Sequence, residues 1–117
     1  MADLKMYGLK TCDTCRRARK ALETAGREVD FTDLREMDDL PKRLPVWIEK
    51  VGADRLLNKA STTWRNLPEG EKAMAQDRTG YRALLQANPA LIKRPVIVDG
   101  DAIYAGWKSD VQNALGV

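Results

Sequence analysis

The sequence predicts an α/β fold built around one βαβ unit, and three observations carry that assignment. A short apolar run, Leu4 to Leu9, leads into a stretch of helical periodicity. An alternating run, Glu28-Val29-Asp30-Phe31-Thr32, follows that stretch. Near the end of the chain two further apolar runs flank Asp99-Gly100, a pairing that signals a hairpin.

Taken in order, Leu4 to Leu9 contains Gly8 and reads as a buried strand running into a loop. From Asp13 the apolar positions Ala18, Ala21, Leu22 and Ala25 recur at helical spacing, with Gly26 as the stop signal. The strand over 28–32 then closes a βαβ unit, which requires its two strands to be parallel. Between roughly 38 and 88 no strand pattern occurs. Leu44, Trp47, Ile48 and Val51 mark one amphipathic helix ending at Gly52, Leu56-Leu57 is expected to begin a short second one, and further helices are expected from Pro68 to Ala75 and from Tyr81 to Pro89. Strands return at Val96-Ile97-Val98 and Ala102-Ile103-Tyr104, and Trp107 to Leu115 reads as a closing helix. The 117 residues suit a single domain, 1–117, with a helical insertion over roughly 38–88.

Composition narrows the function. Apolar residues make up 44% and charged residues 32%, as in a globular protein, and no apolar run reaches the length of a membrane span. The first residues carry no long apolar segment of the secretory kind, so the expected location is cytoplasmic. Twenty basic against 17 acidic residues leave a net charge of +3, with the signs interspersed, which argues against a direct nucleic-acid role. With two cysteines and no histidine, Cys-His proteolysis and His-ligated metals are excluded. A structural zinc needs four ligands, of which the Cys12-x-x-Cys15 pair supplies two.

The chemistry is expected at Thr11-Cys12-Asp13-Thr14-Cys15. A cysteine in the loop between a first strand and a helix lies where backbone N–H groups and the positive end of the helix dipole favour an anion. Lys10, Arg16 and Arg17 add positive charge close by in sequence. Lowering a thiol pKa from about 8.5 to about 6.5 turns a minor thiolate population at neutral pH into the major one, and the thiolate is the nucleophile. Cys12 is therefore the candidate nucleophile. Cys15, three residues on along the same helix face, is the candidate resolving thiol. Lys93-Arg94-Pro95-Val96, a proline opening a later strand, supplies the expected second wall of such a site. Trp47, Trp64 and Trp107 each lie in an apolar pattern and are read as packing residues.

These residues resemble the arsenate reductase (ArsC) family, in the branch that includes YffB-like and Spx-like proteins. The resemblance spans nearly the whole chain and rests on Met6 to Thr14, Leu56-Leu57-Asn58-Lys59, Thr62-Thr63-Trp64-Arg65 and Ile92-Lys93-Arg94-Pro95-Val96. It implies a thioredoxin-like (glutaredoxin-type) fold with a helical insertion, a cis proline at Pro95, Cys12 as nucleophile and Arg94 as an anion-binding residue. Lys10, Thr11, Asp13 and Thr14 around the thiol, with Lys93 and Pro95, are the candidate glutathione- or substrate-binding positions.

The activity so implied is a glutathione-dependent thiol reductase, with glutathione as co-substrate and no tightly bound cofactor. Two alternatives stand beside it: a glutathione-coupled arsenate reductase, and an Spx-like redox sensor that binds the RNA polymerase α subunit. Efficient arsenate reductases of the family surround the oxyanion with three arginines. An ungapped reading matches only Arg94, placing Asn58 and Trp107 where the other two stand.

Overall fold

A computed structural model describes residues 3–117 of the chain. The chain runs β1 (Leu4–Gly8), α1 (Asp13–Thr24), β2 (Val29–Asp33), then α2 (Leu40–Val51), α3 (Ala53–Leu56), α4 (Thr62–Arg65), α5 (Glu69–Lys72) and α6 (Arg78–Ala87), and closes with β3 (Val96–Asp99), β4 (Ala102–Ala105) and α7 (Ser109–Leu115). Short 3-10 turns occupy Leu34–Glu36, Ala73–Gln76 and Pro89–Leu91. Among the described residues no helix is long and apolar enough to cross a membrane.

Two compact units result, one formed by the chain up to Met37 together with Arg94–Val117, the other by Asp38–Lys93. The first holds the four strands of the described residues in one sheet of order β2-β1-β3-β4. β1 pairs with β2 in parallel, from Leu4 with Val29 to Gly8 with Asp33, as the α1 crossover requires. β3 runs antiparallel to both β1 and β4. This is the thioredoxin-like arrangement, an α/β fold whose helical segment is inserted between β2 and β3. Its core forms where Leu4, Met6 and Ile97 of the sheet meet Ala18 and Leu22 of α1 and Val111 and Leu115 of α7. On α1 the buried residues Cys15, Ala18 and Leu22 form one stripe at helical spacing, which turns Arg16, Arg17, Arg19 and Lys20 outward.

The helix ends on a left-handed glycine. Gly26 takes φ +88°, its N–H donates to the Glu23 carbonyl at 3.0 Å, and the Arg27 N–H donates to the Leu22 carbonyl at 2.9 Å. That is a Schellman motif, which satisfies two terminal carbonyls and returns the chain toward β2.

The second unit is helical. α2 buries Leu40, Leu44 and Trp47 on one face and packs on α6, which buries Tyr81, Leu84 and Leu85. The Tyr81 hydroxyl donates to the Ala53 carbonyl at 2.6 Å, joining α6 to α3.

Four local expectations are corrected. Leu56 ends α3 instead of beginning a helix, because the chain then extends so that Leu57 bridges Ile92. Thr62–Arg65 forms a helical turn where none was expected, capped by the Ser61 hydroxyl accepting from the Trp64 N–H at 3.1 Å. The hairpin turns on Gly100-Asp101, since Asp99 still pairs with Ala102, and Gly100 supplies the positive φ of 61°. The last helix starts at Ser109; Trp107 precedes it and packs against the core instead.

Candidate active site

The catalytic candidates converge because of strand register. Tyr7 pairs with Val96, so Pro95 lies beside Gly8 at the end of β1, where the chain enters the cysteine loop. The Arg94-Pro95 peptide is cis, and the buried Pro95 offers its carbonyl to the Gly106 N–H at 2.9 Å. Arg94, half-buried, is thereby brought to Cys12.

Cys12 is the N-cap residue of α1, with extended backbone at φ −85° and ψ 116°. Its N–H donates to the Leu9 carbonyl at 3.0 Å and its carbonyl accepts from the Arg16 N–H at 3.1 Å. The sulfur thus lies at the positive end of a 12-residue helix. Burial opposes ionisation of this half-buried thiol. Hydrogen bonds from the Cys15 backbone N–H, the Cys15 thiol and the Arg94 guanidinium, together with the Arg94 charge, outweigh it and hold Cys12 below the ordinary thiol value.

Cys15 is the opposite case. It is 1% exposed, and burial first, then its interaction with Cys12, pushes its thiol up to about 12. Both cysteines are free thiols. The Cys12 thiolate is thus favoured relative to an ordinary thiol, while Cys15 is held protonated and donates a hydrogen bond to it.

The other expected site residues are placed as follows. Lys10 is exposed and its ammonium pairs with the Glu36 carboxylate at 2.6 Å. Thr11 and Asp13 are exposed, and Arg16 reaches both, the Thr11 carbonyl at 3.4 Å and the Asp13 carboxylate at 3.5 Å. Thr14 is half-buried and its hydroxyl accepts from Arg17 at 3.5 Å. Positive charge for Cys12 therefore comes from Arg94, 82 positions away in sequence, while Lys10 and Arg16 engage nearby carboxylates. Lys93 belongs to the helical unit, where its N–H donates to the Leu56 carbonyl at 2.7 Å.

Asp33 was not singled out by the sequence. Among the described residues it is the one buried charged side chain, 3% exposed. The Arg35 guanidinium first, then the Lys10 and Arg35 backbone N–H groups, overcome its burial and hold the carboxyl well below the usual carboxylate range. The available signal was an Asp-x-Arg sequence directly after a strand, an Asx-type turn.

Comparison with known proteins agrees with this geometry. The model of the ArsC family matches residues 7–115. An uncharacterized protein of Haemophilus influenzae is 40% identical over 114 residues, covering 96% of this chain and 98% of that one. The solved structure of the YFFB (PA3664) protein superposes with a TM-score of 0.86 at 35% identity, covering 96% of this chain and 97% of the other. An arsenate reductase (ArsC) related protein from Brucella melitensis superposes at 0.76 with 33% identity, covering 97% and 93%. With the family model matching almost end to end and Cys12, Arg94 and the cis Pro95 in one place, the chain belongs to the ArsC family, a family of thiol oxidoreductases.

Proposed function

We propose that this protein is a glutathione-dependent thiol-disulfide reductase with Cys12 as nucleophile. The observation that carries the reading is the pairing of a stabilised Cys12 thiolate at the α1 N-terminus with Arg94. The Cys12 thiolate attacks the glutathione sulfur of a mixed disulfide, a new S–S bond forms between them, and the substrate leaves as a thiolate that takes a proton from solvent. A second glutathione thiolate then attacks the bound glutathione sulfur. Oxidised glutathione departs and Cys12 regains its negative charge. Glutathione suits the site because it carries carboxylates, which the planar fork of Arg94 binds in two-point fashion.

Cys15 is a poor competitor for the second step while it stays protonated, with its thiol pushed up to about 12. Part of that rise comes from the Cys12 charge, which disappears once Cys12 is in a mixed disulfide. Cys15 thus becomes more acidic only in the intermediate that it would resolve.

The test is turnover of a glutathione mixed disulfide by the native protein, with Cys12→Ser as blank and binding to RNA polymerase α subunit measured in parallel. Turnover that vanishes in Cys12→Ser supports the proposal. Redox-dependent capture of the α subunit without turnover overturns it in favour of a regulator.

A further inference from the structure

Asp33 divides its carboxylate between two tasks. One oxygen, Oδ1, accepts from the Arg35 N–H at 2.8 Å and from Arg35 Nε at 3.2 Å, which caps the 3-10 turn after β2. The other, Oδ2, accepts from the Lys10 N–H at 3.0 Å and from the Arg35 guanidinium at 3.1 Å. Capping alone needs one oxygen, and a solvent-facing Ser or Asn would supply it. Burying an ionised carboxylate is costly unless its hydrogen-bonding capacity is met, so the second oxygen calls for its own explanation.

That explanation lies in what Lys10 belongs to. Leu9 to Cys12 is the whole connection between β1 and α1, closed by the Cys12 N–H donating to the Leu9 carbonyl at 3.0 Å. A turn this short moves as a unit, so fixing the Lys10 N–H fixes the direction in which Cys12 leaves it.

We propose that Asp33 is a positioning residue for the Cys12 nucleophile: its buried Oδ2 anchors the Lys10 N–H and so aims the Cys12 sulfur at the Cys15 N–H and the Arg94 guanidinium. This rests on the reading of Cys12 as nucleophile. The charged groups facing Asp33 are Arg35 and Lys10, with Glu36 paired to Lys10; those facing Cys12 are Cys15 and Arg94.

The sign of one shift separates the possibilities. Asp33→Leu exchanges the carboxylate for a side chain of similar size that offers the Lys10 N–H no acceptor. Iodoacetamide alkylation of Cys12 against pH, on protein shown to be folded by circular dichroism, is expected to place its apparent pKa about half to one unit higher than in the native protein, or about 3- to 10-fold less thiolate on the acid side of both values. If Asp33 acted only as a nearby negative charge, its removal would move that pKa down. If it served only to stabilise the fold, the profile of the folded variant would not move while its unfolding midpoint fell. Either result overturns the proposal.

Hydrogen exchange at the Lys10 amide of the native protein gives a measurement that does not depend on the variant folding. The amide is expected to be protected, and exchange as fast as in an unstructured chain overturns the inference. A native Cys12 that titrates at the ordinary thiol value overturns instead the nucleophile reading beneath it.

Discussion

Gly8 and the Cys15 sulfur are packed so closely that a methyl group on Gly8 would overlap the thiol, with the Cys15 Cβ at 3.3 Å and the Phe31 ring at 3.4 Å from the same point. The last residue of β1 is thus a glycine for reasons of space, since the buried Cys15 fills the position that a side chain would take. Gly8→Ala is expected to destabilise the protein by about 1–3 kcal/mol, the usual cost of overpacking. In a Cys15→Ala background the cost should shrink, giving a coupling energy of about 0.5 kcal/mol or more in a double-mutant cycle. Urea unfolding of the four proteins measures it, and strictly additive effects would contradict the packing described.

The two thiols should separate cleanly by reactivity. At pH 7 a thiol with a pKa of about 12 is ionised to roughly one part in 10⁵, and Cys15 is buried besides. Alkylation below pH 9 is therefore expected to modify Cys12 alone, read by peptide mass. Arg94 stabilises the Cys12 thiolate, so Arg94→Met must raise the apparent pKa, by about one unit, and slow alkylation at pH 6 to 7 accordingly. An unchanged profile in Arg94→Met would remove Arg94 from the site.

Asp33 makes stability fall in acid. Its folded-state pKa is depressed, chiefly by Arg35, below the unfolded value of about 3.9, so its contribution is complete above that value. The contribution is lost as pH drops from about 4 toward the lower folded value and the carboxyl is protonated. Arg35 is half exposed, which screens its share, whereas the Lys10 N–H bond reaches a buried oxygen. Asp33→Asn is expected to cost about 1–3 kcal/mol at pH 6, on the scale of hydrogen bonds to a charged group, and less at pH 2.5. Urea midpoints across that interval test it; equal losses at both ends would show that the charge contributes nothing.

Arsenate is expected to be a poor substrate. Asn58 uses its side-chain oxygen to accept from the Ala60 N–H at 3.2 Å, and Trp107 packs against the core of the sheet unit. Neither offers the two-point cation that the arginine pattern of the family calls for. Lacking two such cations should weaken oxyanion binding by several kcal/mol, taking about 1.5–3 kcal/mol for each charged hydrogen bond, or more than a hundredfold. Disulfide exchange needs only a thiolate and an open approach. Steady-state assays with arsenate and with a glutathione mixed disulfide, against Cys12→Ser, compare the two; comparable arsenate turnover would refute this reading of Asn58 and Trp107.

What the sequence determined by itself is whatever short-range periodicity and backbone chemistry control. The helical spacing of Ala18, Ala21 and Leu22, the stop at Gly26, the alternation entering β2 and the Asp99-Gly100 signal each place an element without reference to distant residues. The candidate nucleophile was legible for the same reason, because a cysteine before a helix meets that helix's own N-terminus. Boundaries set by distant partners were not legible: Leu57 extends because Ile92 bridges it, and Trp107 stays outside the last helix to cover the core. The electrostatics of the thiols were decided by tertiary structure in the same way. Arg16 is close to Cys12 in sequence yet pairs with Asp13, while Arg94 acts on the sulfur because β3 pairs with β1. Asp33 carries only a local turn signal in its sequence, and parallel pairing of β1 with β2 is what brings it under the Lys10 N–H. Local periodicity sets most helices and strands within a few residues, but charge and burial depend on separation in space, and strand register is what sets that separation.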